Sequence, residues 1–507
     1  MSEKFLHGVE VLEIDAGPRP ISTVRSSVIG IIGTAPDAEA QATASLATGD
    51  EAIDNALTWT ASLAGALGNR ITVTLNNPRA NDAALSVAVS AGTNITANLA
   101  TGATGTITTT AAQLMAAIAA NEAAAALVTV TATGLSDGTG AVEALRQTAL
   151  AGGLDDAFPL NTPVMVAGSR THAAKLGDAG TLPAAMDSIF DQAGAVVIVV
   201  RVAEEVDPAE QLAAVLGGVN ATTGDYEGVH CFLGAESKVG FAPRILLAPG
   251  FTHERDSDSA NAVVAELVGI AERLRAVILV DGPDTTDDEA IAAAGDFGTA
   301  RAYLCDPWVK KVNANTGAEE IHPPSPVVAG LIAKSDNDRG FWWSPSNQNI
   351  NGIVGTSRPV DFALGDANAR ANLLNEMNVA TIIRQDGFRL WGNRTLSSDQ
   401  KWAFLSVRRT ADMINDSLLR AHLWAVDRNI TKTYLQDVTD GVNAYLRHLT
   451  VIGAILGGRC WADPALNSPD QIAQGKVYFD FDFTPPYPAE HITFRSHMVQ
   501  DYLTEIF

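Results

Sequence analysis

ANAVVAELVGIAERLRAVILVDGP, residues 260–283, sets a helix directly against a strand. Val263, Leu267, Ile270 and Leu274 recur at intervals of three and four and so share one stripe of a helix. The run AVILV that follows is short and apolar at every position, which reads as a strand covered on both faces. Working outward, RILLAPG (244–250) precedes the helix, and the box Thr286 to Glu289 opens a further helix that leads to the strand RAYLC (301–305). Upstream, VIGIIG (28–33), VMVAG (164–168) and AVVIVVRV (195–202) are strands of the same kind, the last preceded by the helical TLPAAMDSIFDQA (181–193). Short buried strands alternating with helices specify an α/β domain built on a parallel sheet.

Two stretches depart from this grammar. Residues 41–155 are rich in Ala, Thr and Gly, with Trp59 their only aromatic, and such a shift in composition marks an inserted module. Within it NRITVTL, ALSVAV, TGTITTT and LVTVTAT alternate at period two and AAQLMAAIAANEAAAA reads as a helix, so a small β-rich domain is expected; a low-complexity linker is the bland alternative. From about residue 366 the pattern turns helical. Phe404, Val407, Ala411, Ile414, Leu418, Ala421 and Ala425 lie on one face of a long helix; Leu435, Val438, Val442, Tyr445, Leu449 and Ile452 repeat the pattern up to a stop at Gly457-Gly458. The chain closes with KVYFDFDFTPPYPAEHITFRSHMVQDYLTEIF (476–507). In it Val477, Phe479, Phe481 and Phe483 alternate with polar residues, as do Ile492, Phe494 and Met498, so both runs read as half-buried strands. The connector TPPYPAE has no tight-hairpin chemistry and three prolines in seven residues, which keep it stiff and extended. The second strand therefore lacks an obvious partner within its own chain. The divisions read in this way are an N-terminal arm (1–22), a discontinuous α/β domain (23–40 and 156–365), the inserted domain (41–155), an α+β C-terminal domain (366–488) and a C-terminal arm (489–507).

Composition limits the function. Lys plus Arg number 34 against 58 Asp plus Glu, and the net charge of −24 repels phosphate backbones and anionic membranes, so neither nucleic acid nor membrane insertion is expected. Cys231, Cys305 and Cys460 are far apart and form no C-x-x-C, which indicates neither a disulfide framework nor a zinc site. No stretch reads as a signal peptide or membrane helix, so a soluble protein made in the cytosol is expected.

No motif found here assembles an active site. Gly355-Thr356-Ser357 resembles the nucleophile turn of subtilisin-type proteases, but His7-Gly8 precedes every aspartate and His253 lacks the following glycine, so Ser357 reads as a loop serine. There is no phosphate-binding glycine loop, and the acidic strings at 256–259 and 335–338 lack the glycine and glutamate of a calcium loop. Trp342 and Trp343 read as packing anchors rather than a stacking platform. No catalytic residue, metal or cofactor is expected. A divergent serine hydrolase and a surface-layer or adhesin protein, the latter suggested by the Thr-rich module, are the rival classes.

Several long strings taken together resemble the tail sheath proteins of contractile-tailed bacteriophages and phage-tail-like bacteriocins. They are residues 5–38, FPLNTPVMVAG (158–168), 181–202, IHPPSPVVAGLIAKSDNDRGFWWSPSN (321–347), DGFRLWGNRTLSSD (386–399) and KVYFDFDFTPPYPAEHI (476–492). The resemblance implies a structural virion protein, made and assembled in the bacterial host cytoplasm, whose α/β domain is subtilisin-like without the triad. It implies subunits stacked as a helical homo-oligomer of rings around an inner tail tube, between baseplate and tail terminator proteins. Neighbours would be linked by strands donated from the arms, and contraction would drive the tube through the host envelope for DNA ejection. On this sequence the donated strands would carry Val9, Val11, Leu12 and Ile14 at one end and Ile492, Phe494 and Met498 at the other. The receiving sheet would carry Val477, Phe479, Phe481 and Phe483. The inserted domain would face outward and the C-terminal domain the tube. Lys401, Arg408 and Arg409 form a basic face that suits either an acidic tube or plain solvation.

Overall fold

A computed structural model describes residues 21–255, 259–313, 316–500 and 502. The chain divides into two compact units, one running to Pro36 and resuming at Leu160–Ala174 and from Asp178 onward, the other comprising Asp37–Pro159 with Lys175–Gly177.

The larger unit is built on an eight-stranded sheet. In chain order its strands are β1 (Val28–Thr34), β2 (Val164–Ala167), β3 (Val196–Val202), β4 (Ile245–Leu247), β5 (Val277–Asp281), β6 (Ala302–Cys305), β7 (Val379–Arg384) and β8 (Phe388–Trp391), and they lie side by side as β8-β7-β6-β5-β4-β1-β3-β2. From β3 across to β7 all neighbours are parallel, which agrees with the α/β reading, while β2 and β8 join as antiparallel edges. Parallel strands need both faces covered, and β1, β4, β5 and β6 are buried along their whole length. Gly30 in β1 is a close-approach glycine, because a Cβ there would sit 2.8 Å from Pro243 Cβ and 2.9 Å from the Phe232 ring.

Helices α1 (Leu182–Phe190), α2 (Ala262–Leu274) and α3 (Asp287–Gly295) pack around this sheet. Helix α2 starts where the Asn261 side chain accepts from Val264 N–H at 3.0 Å, buries Val263, Leu267 and Ile270, and ends at Arg275 in the left-handed region with φ 50°. Helix α4 (Ser325–Arg339) was not legible beforehand. It is buried from Ser325 to Ala333 on every side, so it carries no periodic stripe, and Pro323-Pro324 hides its start. Strands β7 and β8 carry the sheet to Trp391, past the boundary at 365 read from the sequence.

Beyond the sheet, α5 (Leu405–Ala421) and α6 (Lys432–Val451) share a second core through Met413, Ile414, Val442, Tyr445, Leu446 and Leu449. The long helical face expected over 404–425 ends earlier, at Ala421, and the chain continues as a 3-10 turn over Leu423–Ala425. The stop placed at Gly457-Gly458 is corrected to Gly453, which takes φ 81° and donates its N–H to Thr450 O, while Gly457 opens the next strand. That strand, β9 (Gly457–Trp461), pairs antiparallel with β10 (Asp480–Thr484).

Three buried carboxylates tie the second core to the sheet. Arg244, Arg275 and Arg301 sit at the N-terminal ends of β4, β5 and β6, where α5 presents Asp412 and Asp416 one turn apart. Asp412 accepts from Arg301 Nη1 at 2.8 Å and from Arg408 Nη2 at 2.7 Å; Asp416 pairs with Arg244 and lies 3.8 Å from Arg275. On α4, Asp336 accepts from Arg409 Nη1 and Ser26 Oγ, each at 2.8 Å.

The smaller unit holds two sheets around Trp59, Leu57, Val73, Ile95, Leu114 and Ile118. Strands Ser45–Thr48, Leu57–Ala61 and Val128–Ala132 form one, antiparallel throughout. The other runs in the order 86–90, 94–98, 72–76 and 145–149. The run TGTITTT is not the strand expected of it. Gly105 makes a turn, Thr101 and Ile107 form an isolated bridge, and Thr110 caps the helix Ala111–Ala120 in a reciprocal box with Gln113. At the neck of the unit its two ends meet: Ala42 and Leu154 exchange N–H···O bonds at 2.9 and 3.1 Å, and Ser45 and Ala151 do so at 2.8 and 2.9 Å.

Replacing Asp412 by Ala would take from the buried Arg301 its buried counter-charge, leaving only the more exposed Glu272, and from the part-buried Arg408 its partner on the same helix. Breaking one side of a buried pair costs about 3–5 kcal/mol. Asp412→Ala should therefore lower the unfolding free energy by about that amount, far more than an exposed Asp→Ala such as at Asp366, as read by denaturant unfolding.

Candidate assembly surface

The C-terminal end of a parallel sheet is where such folds usually place a ligand. Here it is filled by side chains that satisfy one another. Asp284 Oδ1 accepts from Ser357 Oγ and from Trp308 N–H at 3.0 Å, and Asp284 N–H donates to Asp306 Oδ2 at 2.9 Å. Arg358 pairs with Asp306 and Asp287, and Arg370 Nε donates to Asp287 Oδ2 at 2.8 Å. Ser357 follows a two-residue strand, Gly355–Thr356, and its N–H donates to Trp308 O at 2.9 Å. No hydrogen bond joins it to a histidine among the described residues. His253 packs edge-on against Trp308 with ring centroids 5.0 Å apart, and burial holds its pKa below the usual value. Activation of a serine needs a histidine or similar base beside it, and among the described residues Ser357 is bonded to a carboxylate instead.

Asp281 ends β5 beneath this cluster. It is 1% exposed and accepts from Ser325 N–H at 2.8 Å, Ser325 Oγ at 2.9 Å and Thr252 Oγ1 at 3.1 Å. Burial pushes its pKa up to about 6, against the pull of those donors. The string at 335–338 is structural, since Asp336 is the partner of Arg409; of the string at 256–259 only Ser259 is among the described residues. Among the described residues no three His, Cys, Asp or Glu side chains converge to hold a metal ion. Trp342 joins the second core, its ring 5.1 Å from Phe341, and Arg339 lies 5.3 Å from the half-exposed Trp343 ring.

The features suited to assembly lie in the C-terminal part. In β10, Phe481 and Phe483 stack 6.1 Å apart and, with Phe479, pack against the core of α5 and α6. The strand begins at Asp480 rather than at Val477, because the Asn467 side chain takes both backbone groups of Tyr478, at 2.8 and 2.9 Å. Among the described residues the two-stranded sheet has no third strand; the outer edge of β10 is unpaired, while on β9 the Asn443 side chain takes both backbone groups of Cys460, at 2.8 and 2.9 Å. The run His491–Met498 forms no strand with the described residues of its own chain, and residues 489–500 are exposed throughout, with Ile492, Phe494 and Met498 at 67%, 92% and 93%. Val9, Val11, Leu12 and Ile14 lie outside the described residues. Just after them, Ile21 and Val24 pack on the second core and Val24 N–H donates to Ser417 Oγ at 3.2 Å.

The basic face needs correction. Arg409 is buried against Asp336, Arg408 is turned onto Asp412 with its guanidinium 4.2 Å from the Trp402 ring, and Lys401 lies in a 3-10 turn ahead of α5. Of the three only Lys401 is exposed. Sequence reasoning also missed how the arm is rooted. Arg394 holds Glu490 in a two-point ion pair, Nε to Oε1 at 2.9 Å and Nη2 to Oε2 at 2.6 Å. Both residues stand inside quoted strings, but nothing local marks a pair 96 residues apart.

Comparison with known proteins places these elements. Residues 220–396 match the family described as phage tail sheath protein central domain, 397–498 the phage tail sheath C-terminal domain, and 148–202 the tail sheath protein Gp18 domain III N-terminal region. The tail sheath protein of Burkholderia phage BcepMu is 32% identical over 528 residues, covering 99% of this chain and 98% of that protein. A prophage major tail sheath protein of Pseudomonas aeruginosa is 46% identical over 346 residues, which is 68% of this chain and 88% of that protein. Among solved structures, the anti-feeding prophage baseplate in its contracted state shares the fold with a TM-score of 0.54 at 21% identity, covering 67% of this chain and 89% of that one. The sheath complex of an extracellular contractile injection system does so at 0.51 and 19%, covering 68% and 89%.

Two outcomes follow from the sheet's C-terminal end. Ser357→Ala should change neither folding nor any assembly, and labelling of Ser357 by a fluorophosphonate probe would contradict that. Because the Asp281 pKa is raised in the folded state, its contribution to stability is full below about pH 4 and is lost as pH rises through about 6. Thermal melts of Asp281→Asn against the parent should thus diverge in the variant's favour from pH 4 to 6, by about 2–3 kcal/mol.

Proposed function

The chain belongs to the tail sheath protein family, and from that premise we propose that it polymerises as stacked rings around an inner tail tube, its subunits joined by strands donated from the arms. It is a structural protein of a contractile tail sheath, a virion component and not an enzyme. The observation that carries the proposed joint is the pairing of two incomplete features: the free edge of β10 and an apolar run that the described residues of its own subunit leave in solvent. An unpaired edge is a liability in a free monomer and a socket in a filament. Leu419, Leu423, Val426, Val451 and Leu456 are also exposed in the same part of the chain, more apolar surface than a lone subunit has use for.

The energies suit a joint that forms only on assembly. Burying three large apolar side chains contributes roughly 5–9 kcal/mol, and ordering eight residues costs roughly 8–16 kcal/mol. Backbone pairing with a neighbour's sheet must supply the rest. In this reading the sheet receives the strands at the free edge of β10, beside Phe479, Phe481 and Phe483, and Val9, Val11, Leu12, Ile14, Ile492, Phe494 and Met498 supply them. Contraction of the polymer would drive the tube through a cell envelope, with baseplate and terminator proteins at its ends. Assembly in the host cytoplasm belongs to the same proposal, as does a tube contact reduced from three cations to Lys401. The subtilisin-like description of the sheet comes from the resemblance, and a parallel core that carries a serine turn at its C-terminal end supports it. An outward place for the smaller unit fits the Pseudomonas relative, which leaves a third of this chain without a counterpart while itself being almost fully covered.

Ending the chain at Pro488, or removing residues 1–20, should abolish polymer in sedimentation velocity and leave the monomer's melting point nearly unchanged. Phe494→Asp should act likewise, since it puts a charge where an apolar ring is to be buried, at a cost of several kcal/mol. Normal cylinders from the truncated chain would place the joint elsewhere.

A further inference from the structure

Among the described residues the C-terminal arm is last held to the body of its own subunit at Glu490, and four side chains converge there. Arg394 grips the Glu490 carboxylate at two points, at 2.9 and 2.6 Å. The same guanidinium lies 5.5 Å from the centre of the Phe404 ring, and the Tyr487 ring meets Phe404 edge-on at 6.1 Å. The base under them is stiff. Arg394 and Phe404 form a backbone bridge, flanked by Thr395 N–H to Ala403 O at 2.7 Å and Leu405 N–H to Asn393 O at 3.0 Å, directly ahead of α5. The gripped segment is stiff too, with Pro485 buried and Pro486 and Pro488 on either side of Tyr487.

From this we infer that Arg394, Phe404, Tyr487 and Glu490 form a clamp that aims the C-terminal arm, fixing the point and direction from which it leaves its own subunit. The inference rests on the reading that this arm joins a neighbour. The position of the clamp separates aiming from stabilising. Arg394 and Glu490 are more than a third exposed in their side chains, and an ion pair so placed contributes little to folding. It stands at the border between gripped chain and the exposed run 491–500. Ten such residues reach about 33 Å when extended, and a ten-residue strand swinging from a loose root would present its end to a neighbour's sheet at a much lower effective concentration. A stiff, two-point root restricts that swing before any neighbour is met, which lowers the ordering cost at the moment of joining.

The test uses the full chain with Arg394→Glu, Glu490→Arg and both together, alongside the chain ended at Pro488. Each single reversal should raise the concentration needed for polymer, read by sedimentation, about five- to tenfold. The double reversal should return it to within about twofold of the parent, since the pair is remade with opposite polarity. The monomer's melting point should stay level in all of them, and a fluorophore on Ala489→Cys should tumble faster in the single variants than in the double. If the single reversals polymerise like the parent while the Pro488 truncation does not, the arm is the joint and the clamp falls. If they depress the melting point and the double does not recover polymer, the pair is merely structural. If the truncated chain itself polymerises normally, the reading of the arm fails and takes the clamp with it.

Discussion

Charge without water sets the frame of the larger unit. Arg244 and Arg301 are almost wholly buried at the N-terminal edge of the sheet, and guanidinium groups cannot escape the cost of burial by losing a proton. Each must meet a carboxylate, and α5 supplies the buried ones, Asp412 and Asp416, while Glu272 of α2 adds a more exposed partner for Arg301. The two aspartates stand four residues apart, so satisfying one fixes both the rotation and the height of the helix for the other. Apolar packing tolerates small slides; a buried ion pair does not. Arg409 bonded to Asp336 on α4 adds a third point from another direction. Sheet and second core are thereby held in one registry, and whatever flexibility a polymer of such subunits requires must reside in the segments outside this lock.

The two edges of the sheet use the same residue types to different ends. At the N-terminal edge aspartates and arginines join separate elements. At the C-terminal edge Asp284, Asp287 and Asp306 are consumed by Arg358, Arg370, Ser357 and backbone N–H groups of neighbouring loops. A crevice that other parallel sheets keep open for a ligand is closed here by its own side chains.

How much could be read beforehand follows from the range of the forces. The stripe on α2 and the buried runs of β1, β3, β5 and β6 are local patterns, and they led to the right fold class. Helix α4 escaped because burial on all sides erases periodicity. TGTITTT misled because Thr suits a strand and a helix cap equally, and only the Gln113 bond decides between them. Asp412 stands four residues after Arg408 on the same helix, a spacing that the sequence did display, whereas Arg409 read as surface charge because its partner Asp336 becomes visible only once α5 lies against α4. The root of the arm failed for the same reason: the sequence displayed the stiff prolines, but not which arginine they lean towards.

The neck of the smaller unit has an evolutionary corollary. The chain enters and leaves it as hydrogen-bonded neighbours through Ala42–Leu154 and Ser45–Ala151, so residues 42–154 are a loop with adjoining ends. The entropy of closing a loop grows only with the logarithm of its length, and here the closure is made by the unit's own backbone. Such a site is indifferent to what it carries. Lineages could exchange, enlarge or discard what lies beyond these two pairs by recombination, since the closure stays in place whatever it encloses, and an engineer could graft a foreign domain at the same junction.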